Sequence, residues 1–483
     1  VSVWPAQVSG PRWWRGSQSG GGLPLPIGRI PSRALWIGAL IGLLVAEGFA
    51  ISQSYLWGIP LAGILLIALA TDLPVVPIIG ATLFVRVLTD DSGSANSHHT
   101  GSLNLAGLIA VLIMLMAIGP LLRRQRGARV TMLALLWLTV WTAIAVHTSG
   151  ASTETIREGV REASVLALGV IVYNSRGAVT VPIATRIVQI IGFVPAVLAL
   201  YQLATHTGLD IAGNIRSNGT FVHPNSAAIF FAIATTVSLW RYLDNGRGRT
   251  DALFTALFGA ALIATYSIDG LITMLVMLMT FGCLRPGNLR VKLGGFAAAA
   301  VVILVFLATP LGSERISSET STNVSTAERG VPNSSFAWRL FKWESLLPEW
   351  ERSPFIGQGL GTTVTSEATS SNRLAGFVPH NEYLRYLVET GVIGEAILLL
   401  GLGLLIRALV RRRRIPGSLS DGTLNAATLA IVVLVGCLFN SLGDNALIDS
   451  TTGFPAALIF ASVLCLPSRP AGEKRLAIAP RVA

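Results

Sequence analysis

The chain has 483 residues, 52% of them apolar and only 13% charged, with a mean hydropathy of +0.63. That composition excludes an ordinary water-soluble domain and points to an integral membrane protein. The net charge of +11 does not signal nucleic-acid binding, because the arginines fall in short clusters between apolar runs, where orientation against a membrane accounts for them.

The first thirty or so residues hold Trp13-Trp14-Arg15 and Gly20-Gly21-Gly22 and precede the first apolar run. We read 1–33 as a cytoplasmic tail rather than a cleaved signal peptide. Apolar runs follow at about 34–51, 55–71, 73–88, 103–122, 130–148, 163–175, 187–206, 225–242, 251–267, 270–284, 293–310, 391–409, 424–442 and 454–467. Each is long enough to cross, or nearly cross, about 30 Å of hydrocarbon. A backbone in lipid must pair its own N–H and C=O groups, so the expected fold is all-α, a polytopic bundle of about 12–14 transmembrane helices. Cys437 and Cys465 lie inside such runs and Cys283 at the end of one, which argues against a structural disulfide or a cysteine metal site.

Orientation follows from the positive clusters. Arg123-Arg124-Gln125-Arg126, Arg176 with Arg186, Arg241 with Arg247 and Arg249, Arg285 with Arg290 and Lys292, and Arg411 to Arg414 all follow even-numbered runs, and Arg29 with Arg33 joins them. This places both termini in the cytoplasm and the loops 89–102, 149–162, 207–224 and 311–379 outside. The expected organisation is the tail 1–33, a first bundle part 34–310, a large extracytoplasmic loop 311–379, a second bundle part 380–467 and a cytoplasmic tail 468–483. A loop of about seventy residues far exceeds a helix connector and marks a binding loop or lid. Its second half has a helical pattern from Trp338 to Leu347, ended by Pro348 and then Pro354, and a turn Gly357-Gln358-Gly359-Leu360-Gly361 follows. That turn is no dinucleotide motif, because no strand-helix-strand unit surrounds it.

The residues able to do chemistry crowd the same side. His380 follows Pro379, so His380 or Asn381 opens the helix of the run at 391–409. It is either a general base for a hydroxyl or a residue that caps a helix at the interface. Glu382, Arg385 and Glu389 lie on the next turns, where charge beside a bilayer must be paired or used. The alternatives there are Glu382–Arg385 and Arg385–Glu389 pairs. Gly391 and Gly394 read as positions of close helix approach. Arg216, in Asn214-Ile215-Arg216-Ser217-Asn218-Gly219-Thr220-Phe221-Val222-His223-Pro224-Asn225, offers a planar fork suited to phosphate oxygens. Asn225 and His223 read as caps of the following helix, with Asn225 a possible support for the site. Arg339, in Phe336-Ala337-Trp338-Arg339, is a second phosphate ligand or an interfacial residue that snorkels to water. Arg86 near a helix end needs only snorkelling, Asp269 reads as a helix cap, and His98-His99 and His206 read as solvated loop residues without metal-ligand spacing.

The order His380-Asn381, nine residues, then Gly391-x-x-Gly394 resembles the signature of the O-antigen ligase and polymerase superfamily. The arginine at 216 before Gly219-x-Phe221-x-x-Pro224-Asn225 resembles that superfamily's outer motif. Arg339 with Trp343 before Pro354-x-x-Gly357-x-Gly359 is similar to its loop motif. The resemblance covers about residues 100–465 and departs at Ser267-Ile268-Asp269-Gly270, where many members carry Ser-Arg-Gly. It implies a multi-pass bacterial inner-membrane enzyme, an inverting glycosyltransferase without metal or other cofactor. Its donor would be a glycan on a polyprenyl diphosphate carrier, and its acceptor a glycolipid or cell-wall glycan in a ligase, or another lipid-linked repeat in a polymerase. On this resemblance His380 is catalytic, Arg216 and Arg339 hold the diphosphate, and Asn381, Glu382, Arg385 and Asn225 stand behind them. A transporter or flippase is the contrasting class, but it would place charged residues and broken helices near the bilayer midplane.

Overall fold

In the computed structural model, every apolar run that falls on described residues folds as a helix. These residues are 75–90, 105–122, 128–149, 153–175, 177–211, 214–244, 248–284, 335–365, 379–414, 425–447 and 449–466, with isolated positions between 296 and 317. The tails 1–33 and 468–483, the runs 34–51 and 55–71, most of 293–310, and the loop stretches 91–104, 318–334 and 366–378 lie outside them.

The helices are α1 (Val75–Leu88), α2 (Leu105–Leu122), α3 (Ala128–Ser149), α4 (Thr153–Asn174), α5 (Val181–Thr205), α6 (Pro224–Asp244), α7 (Arg249–Ala264), α8 (Ile268–Leu284), α9 (Ser335–Arg352), the single turn α10 (Thr362–Thr365), α11 (Glu382–Arg413), α12 (Ala426–Asn440) and α13 (Ser450–Leu464). Three of them, α5, α6 and α11, are long and apolar enough to span a membrane. The all-α expectation is modified at one point. Between α5 and α6 the chain forms a small antiparallel hairpin, β1 (Leu209–Ile211) and β2 (Asn214–Arg216), in which Leu209 pairs with Arg216.

Helix α6 is the axis of the bundle. Its small residues Ala227, Ala228, Ala232, Ala234 and Ser238 let α5, α7, α8, α12 and α13 pack around it, and Phe221, Phe230 and Phe231 fill the space beside it. Helix α11 is its opposite, with Ile397, Leu399, Leu400 and Leu404 exposed along an apolar outer face. That is the surface expected of a helix bordered by lipid.

Helix α11 is broken. At Gly391 the backbone has φ 63° and ψ −176°, a combination open essentially to glycine alone. The break frees the carbonyls of Val388 and Glu389 and the amides of Val392 and Ile393, and the loop 354–359 takes all four. Gln358 N donates to Val388 O at 3.0 Å and Gly359 N to Glu389 O at 2.7 Å, while Val392 N donates to Pro354 O at 2.9 Å and Ile393 N to Phe355 O at 3.1 Å. The Trp141 indole N–H bridges Ile356 O and Thr390 O at 2.9 and 3.0 Å. Gly391 is therefore not a site of helix packing but a notch that accepts the glycine-rich turn. The turn's glycines are needed for the same reason, since a Cβ at Gly357 would lie 2.4 Å from the Glu389 backbone.

The expected helix in the long loop also runs further than its prolines suggested. Helix α9 continues through Pro348 to Arg352. Pro348 lies on the exposed face, where the carbonyl it leaves without a donor can face water, and Glu349 on the next position is buried.

The two ends of the bundle differ chemically. At one end, Arg412 and Arg413 of α11 donate to the last carbonyls of α13 and α8, at 2.7 Å each, and Arg241 is held by Asp251, Thr185 and Pro182 O. The opposite end carries Asp90, Asp269 and Asp444, the histidines His223 and His380, and the α9 loop.

Candidate functional site

Arg216 ends strand β2 and is 4% exposed. Its Nε donates to Thr265 O at 2.9 Å and its Nη2 to Asn225 Oδ1 at 2.8 Å. Asn225 Oδ1 also accepts from Ser267 Oγ at 3.0 Å. Asn225 thus supports the arginine and is not a cap; the cap of α6 is His223, whose Nδ1 accepts from Asn225 N at 3.2 Å. Arg339 reaches in from α9 and pairs through Nη2 with Asp269 on the first turn of α8. Asp269 is therefore an ion-pair partner, and the capping contact on α8 belongs to Ser267, whose Oγ accepts from Gly270 N at 3.3 Å.

Both guanidinium groups line one cleft of about 390 Å³, together with Asp269, Asn225, Phe336 and Trp343. Ile272, Phe439 and Leu442, all exposed on their outer faces, give it an apolar side. Two buried guanidinium groups converging on one space suit a small polyanion, which would compete with the Asp269 carboxylate for Arg339.

His380 is not among the residues lining this cleft but adjoins it, through Trp343 on one side and through Asp444, next to Gly443, on the other. Trp343 Nε1 donates to Pro379 O at 2.8 Å, which ties the residue before the histidine to α9. Asn381 caps α11 by accepting from Leu384 N at 3.0 Å, as its place before the helix leads one to expect. His380 itself has φ 52°, and its ring lies edge-on to Trp338 at 5.8 Å and 6.4 Å from the His223 ring. Its Nδ1 meets Asp444 Oδ1 at 2.8 Å. Burial pushes the Asp444 carboxyl up, but the His380 charge and hydrogen bond, and then Arg339, outweigh it and hold it well below the usual carboxylate range. An ionised Asp444 can only accept, so His380 Nδ1 donates this hydrogen bond and Nε2 is the nitrogen left for other chemistry. Burial, followed by the positive charges of Arg216, His380 and Arg339 against the opposing pull of Asp444, lowers His223 from 6.5 to about 4 and keeps it neutral. The turn that carries Asp444 also closes the cleft, since a Cβ on Gly443 would lie 3.7 Å from Arg339 Nη1 and 3.8 Å from Asp269 Oδ1.

Glu382 and Arg385 lie behind this assembly and do not line the cleft. Glu382 Oε2 accepts from Ser441 Oγ and from Leu447 N at 3.1 Å, fixing the turn between α12 and α13. Of the two pairings open in the sequence, the structure has Arg385–Glu389, at 3.1 Å, and adds Glu158 and Glu162 of α4. Arg86 is not snorkelling. It is buried, pairs with Asp90 at 2.5 Å and donates to Ser450 Oγ at 2.7 Å, while Asp90 Oδ2 accepts from Val222 N at 3.2 Å next to His223. Exposed His206 ends α5, as a loop residue should, and His98-His99 lie outside the described residues.

Asp444, Asp269, Glu158 and Glu162 escaped the sequence reading as members of the site. A signal for Asp444 existed, since Asn440-Ser441-Leu442-Gly443-Asp444-Asn445 is a polar run interrupting two apolar spans on the side where the histidine lies.

No curated protein matches the chain. Residues 253–399 match a family model described as O-antigen ligase, a stretch from α7 to the middle of α11 that includes Asp269, Arg339, His380 and Arg385. The chain is a helical membrane protein whose residues 253–399 are similar to the O-antigen ligase family.

Proposed function

We propose that this protein is a ligase-type inverting glycosyltransferase, which moves a glycan from a polyprenyl diphosphate carrier to a hydroxyl of a glycolipid or cell-wall glycan. The observation that carries this reading is the convergence of Arg216 and Arg339 on one cleft beside a histidine whose Nδ1 is held by Asp444. The acceptor hydroxyl attacks the anomeric carbon, its proton passes to His380 Nε2, and the bond from that carbon to the diphosphate oxygen breaks on the opposite face. The electron pair leaves with the diphosphate, where the two guanidinium groups meet the growing charge. Fixed cations in a poorly hydrated cleft supply the stabilisation that a divalent metal would otherwise give, so the reaction runs without one. The α11 arginines at the other end of the bundle support an orientation with the cleft at the outer face of the bacterial inner membrane and the termini inside.

The test is a proteoliposome assay with a polyprenyl diphosphate oligosaccharide and defined acceptors. Transfer to a glycolipid acceptor that persists in EDTA and is lost in His380→Ala is the expected result. Elongation of the lipid-linked donor instead would make the protein a polymerase, and transfer at the wild-type rate by His380→Ala would end the catalytic assignment.

A further inference from the structure

The arginines account for the mouth of the cleft, but a polar group deeper in it has no partner among the described residues. Asn440, the last residue of α12, lines the cleft at 3% exposure. Its Nδ2 donates to Thr273 Oγ1 of α8 at 3.1 Å, and its Oδ1 is the atom left over. Leaving a buried amide half-satisfied is costly, and the surrounding Ile272, Phe439 and Leu442 offer it nothing. Thr273 follows Asp269 by one turn of α8, so this amide lies about 6 Å further from the end of the helix than the Arg339–Asp269 pair.

That depth and chemistry define what it meets. The amide can turn over without loss, because the Thr273 hydroxyl donates as readily as it accepts. Turned, Asn440 receives the threonine O–H on its oxygen and directs an N–H into the cleft. Beside two guanidinium groups the guest is an anion, which selects that orientation. Resting on the reading of the cleft as a diphosphate site, we propose that Asn440, backed by Thr273, is a third donor to the lipid carrier and holds the phosphate that bears the prenyl chain. The arginines then meet the phosphate on the glycan side, and the apolar side chains flanking Asn440 and Thr273, Phe439 and Ile272, receive the first isoprene units.

The experiment uses the full chain in detergent or liposomes and follows binding of polyprenyl diphosphate and polyprenyl monophosphate, alongside the KM and kcat of transfer. A hydrogen bond to a charged group corresponds to about a ten- to hundredfold change in affinity. Asn440→Leu is expected to weaken both lipids by that factor and to raise the donor KM with kcat within about twofold. Asn440→Asp has the same shape but carries a negative charge, and is expected to bind worse than Asn440→Leu. Thr273→Val, which removes the hydroxyl that orients the amide, should give a smaller loss in the same direction. Wild-type binding by Asn440→Asp would show that the group accepts a hydroxyl and would overturn the proposal, as would loss of the diphosphate lipid alone. Arg339→Ala separates the two readings. If it loses polyprenyl diphosphate while Asn440→Leu does not, only the present inference falls; if Arg339→Ala also binds normally, the diphosphate reading of the cleft falls first.

Discussion

Replacing Gly391 by alanine tests whether the break in α11 is a built joint. An alanine Cβ there would lie 2.3 Å from the carbonyl carbon and oxygen of Phe355, both backbone atoms that cannot swing aside. Two responses are open. If the break persists, an L-residue must hold φ 63° with ψ −176°, at about 1–3 kcal/mol of strain, and the overlap adds a similar amount. If α11 straightens, the four bonds to loop 354–359 are lost and two helical bonds, Val392 to Val388 and Ile393 to Glu389, return. The net loss of two hydrogen bonds is about 1–3 kcal/mol, before the loop amides find water. The first route destabilises by about 2–6 kcal/mol and the second by about 1–3 kcal/mol, and the second also turns the segment that carries His380. A Cβ at Gly401 or Gly403 on the same helix would meet nothing within 4 Å among the described residues, so alanine there is neutral or gains up to about 1 kcal/mol. Thermal unfolding of the purified protein, read with transfer activity, should show Gly391→Ala melting several degrees lower and nearly inactive, with Gly401→Ala at or above wild type. A Gly391→Ala protein with the wild-type midpoint and rate would refute the joint.

Asp444→Asn should leave the protein folded but slow transfer at least tenfold, because a neutral amide no longer dictates that the His380 proton resides on Nδ1; imidazole nitrogen shifts by NMR would show the altered tautomer. Arg216→Lys should raise the donor KM about tenfold or more, since an ammonium cannot span Thr265 O and Asn225 Oδ1 and still meet a phosphate in the same plane; an unchanged KM would remove Arg216 from the donor site. Asp269→Asn withdraws a negative charge from the cleft and is expected to lower the donor KM, and a rise would mean that the carboxylate orients Arg339 more than it competes for it. His223 is lowered to about 4 in the folded protein by burial and by its cationic neighbours, so the unfolded chain binds more protons between about 6.5 and 4. Stability therefore falls as pH drops through that window, and His223→Asn should flatten this part of a melting-temperature profile.

The helices were legible because lipid leaves the backbone one option, and the motif residues His380, Arg216 and Arg339 because each bears chemistry at the edge of an apolar run. What was hidden is the pairing. Asp269 at the start of α8 has the same local sequence whether it caps that helix or meets Arg339, which comes from 70 residues away. Gly391-x-x-Gly394 likewise reads as a packing face, since nothing local shows that Pro354 to Gly359 fills the notch. Arg86 looked solvated although Asp90 stands four residues on, because the Ser450 that completes its buried site lies 364 residues away. The hairpin holding Arg216 was missed for a related reason, as three-residue strands in a polar loop have no periodicity to detect.

These hidden partners give the proposed reaction its electrostatic balance. Before a donor arrives, the charges of Arg216 and Arg339 stand against those of Asp269 and Asp444, with His223 neutral. Breaking the glycosidic bond adds one negative charge to the diphosphate, and the same step adds one positive charge to His380. The sum over the site does not change during the reaction, so no net charge must be created in a poorly solvated space. The new imidazolium lies 2.8 Å from a carboxylate already ionised to receive it, and the new phosphate charge falls on the guanidinium side. Removing Asp444 therefore does more than misplace a ring. It leaves the imidazolium without its counter-charge, and the barrier rises on the proton-transfer step while donor binding, set by the arginines, is spared.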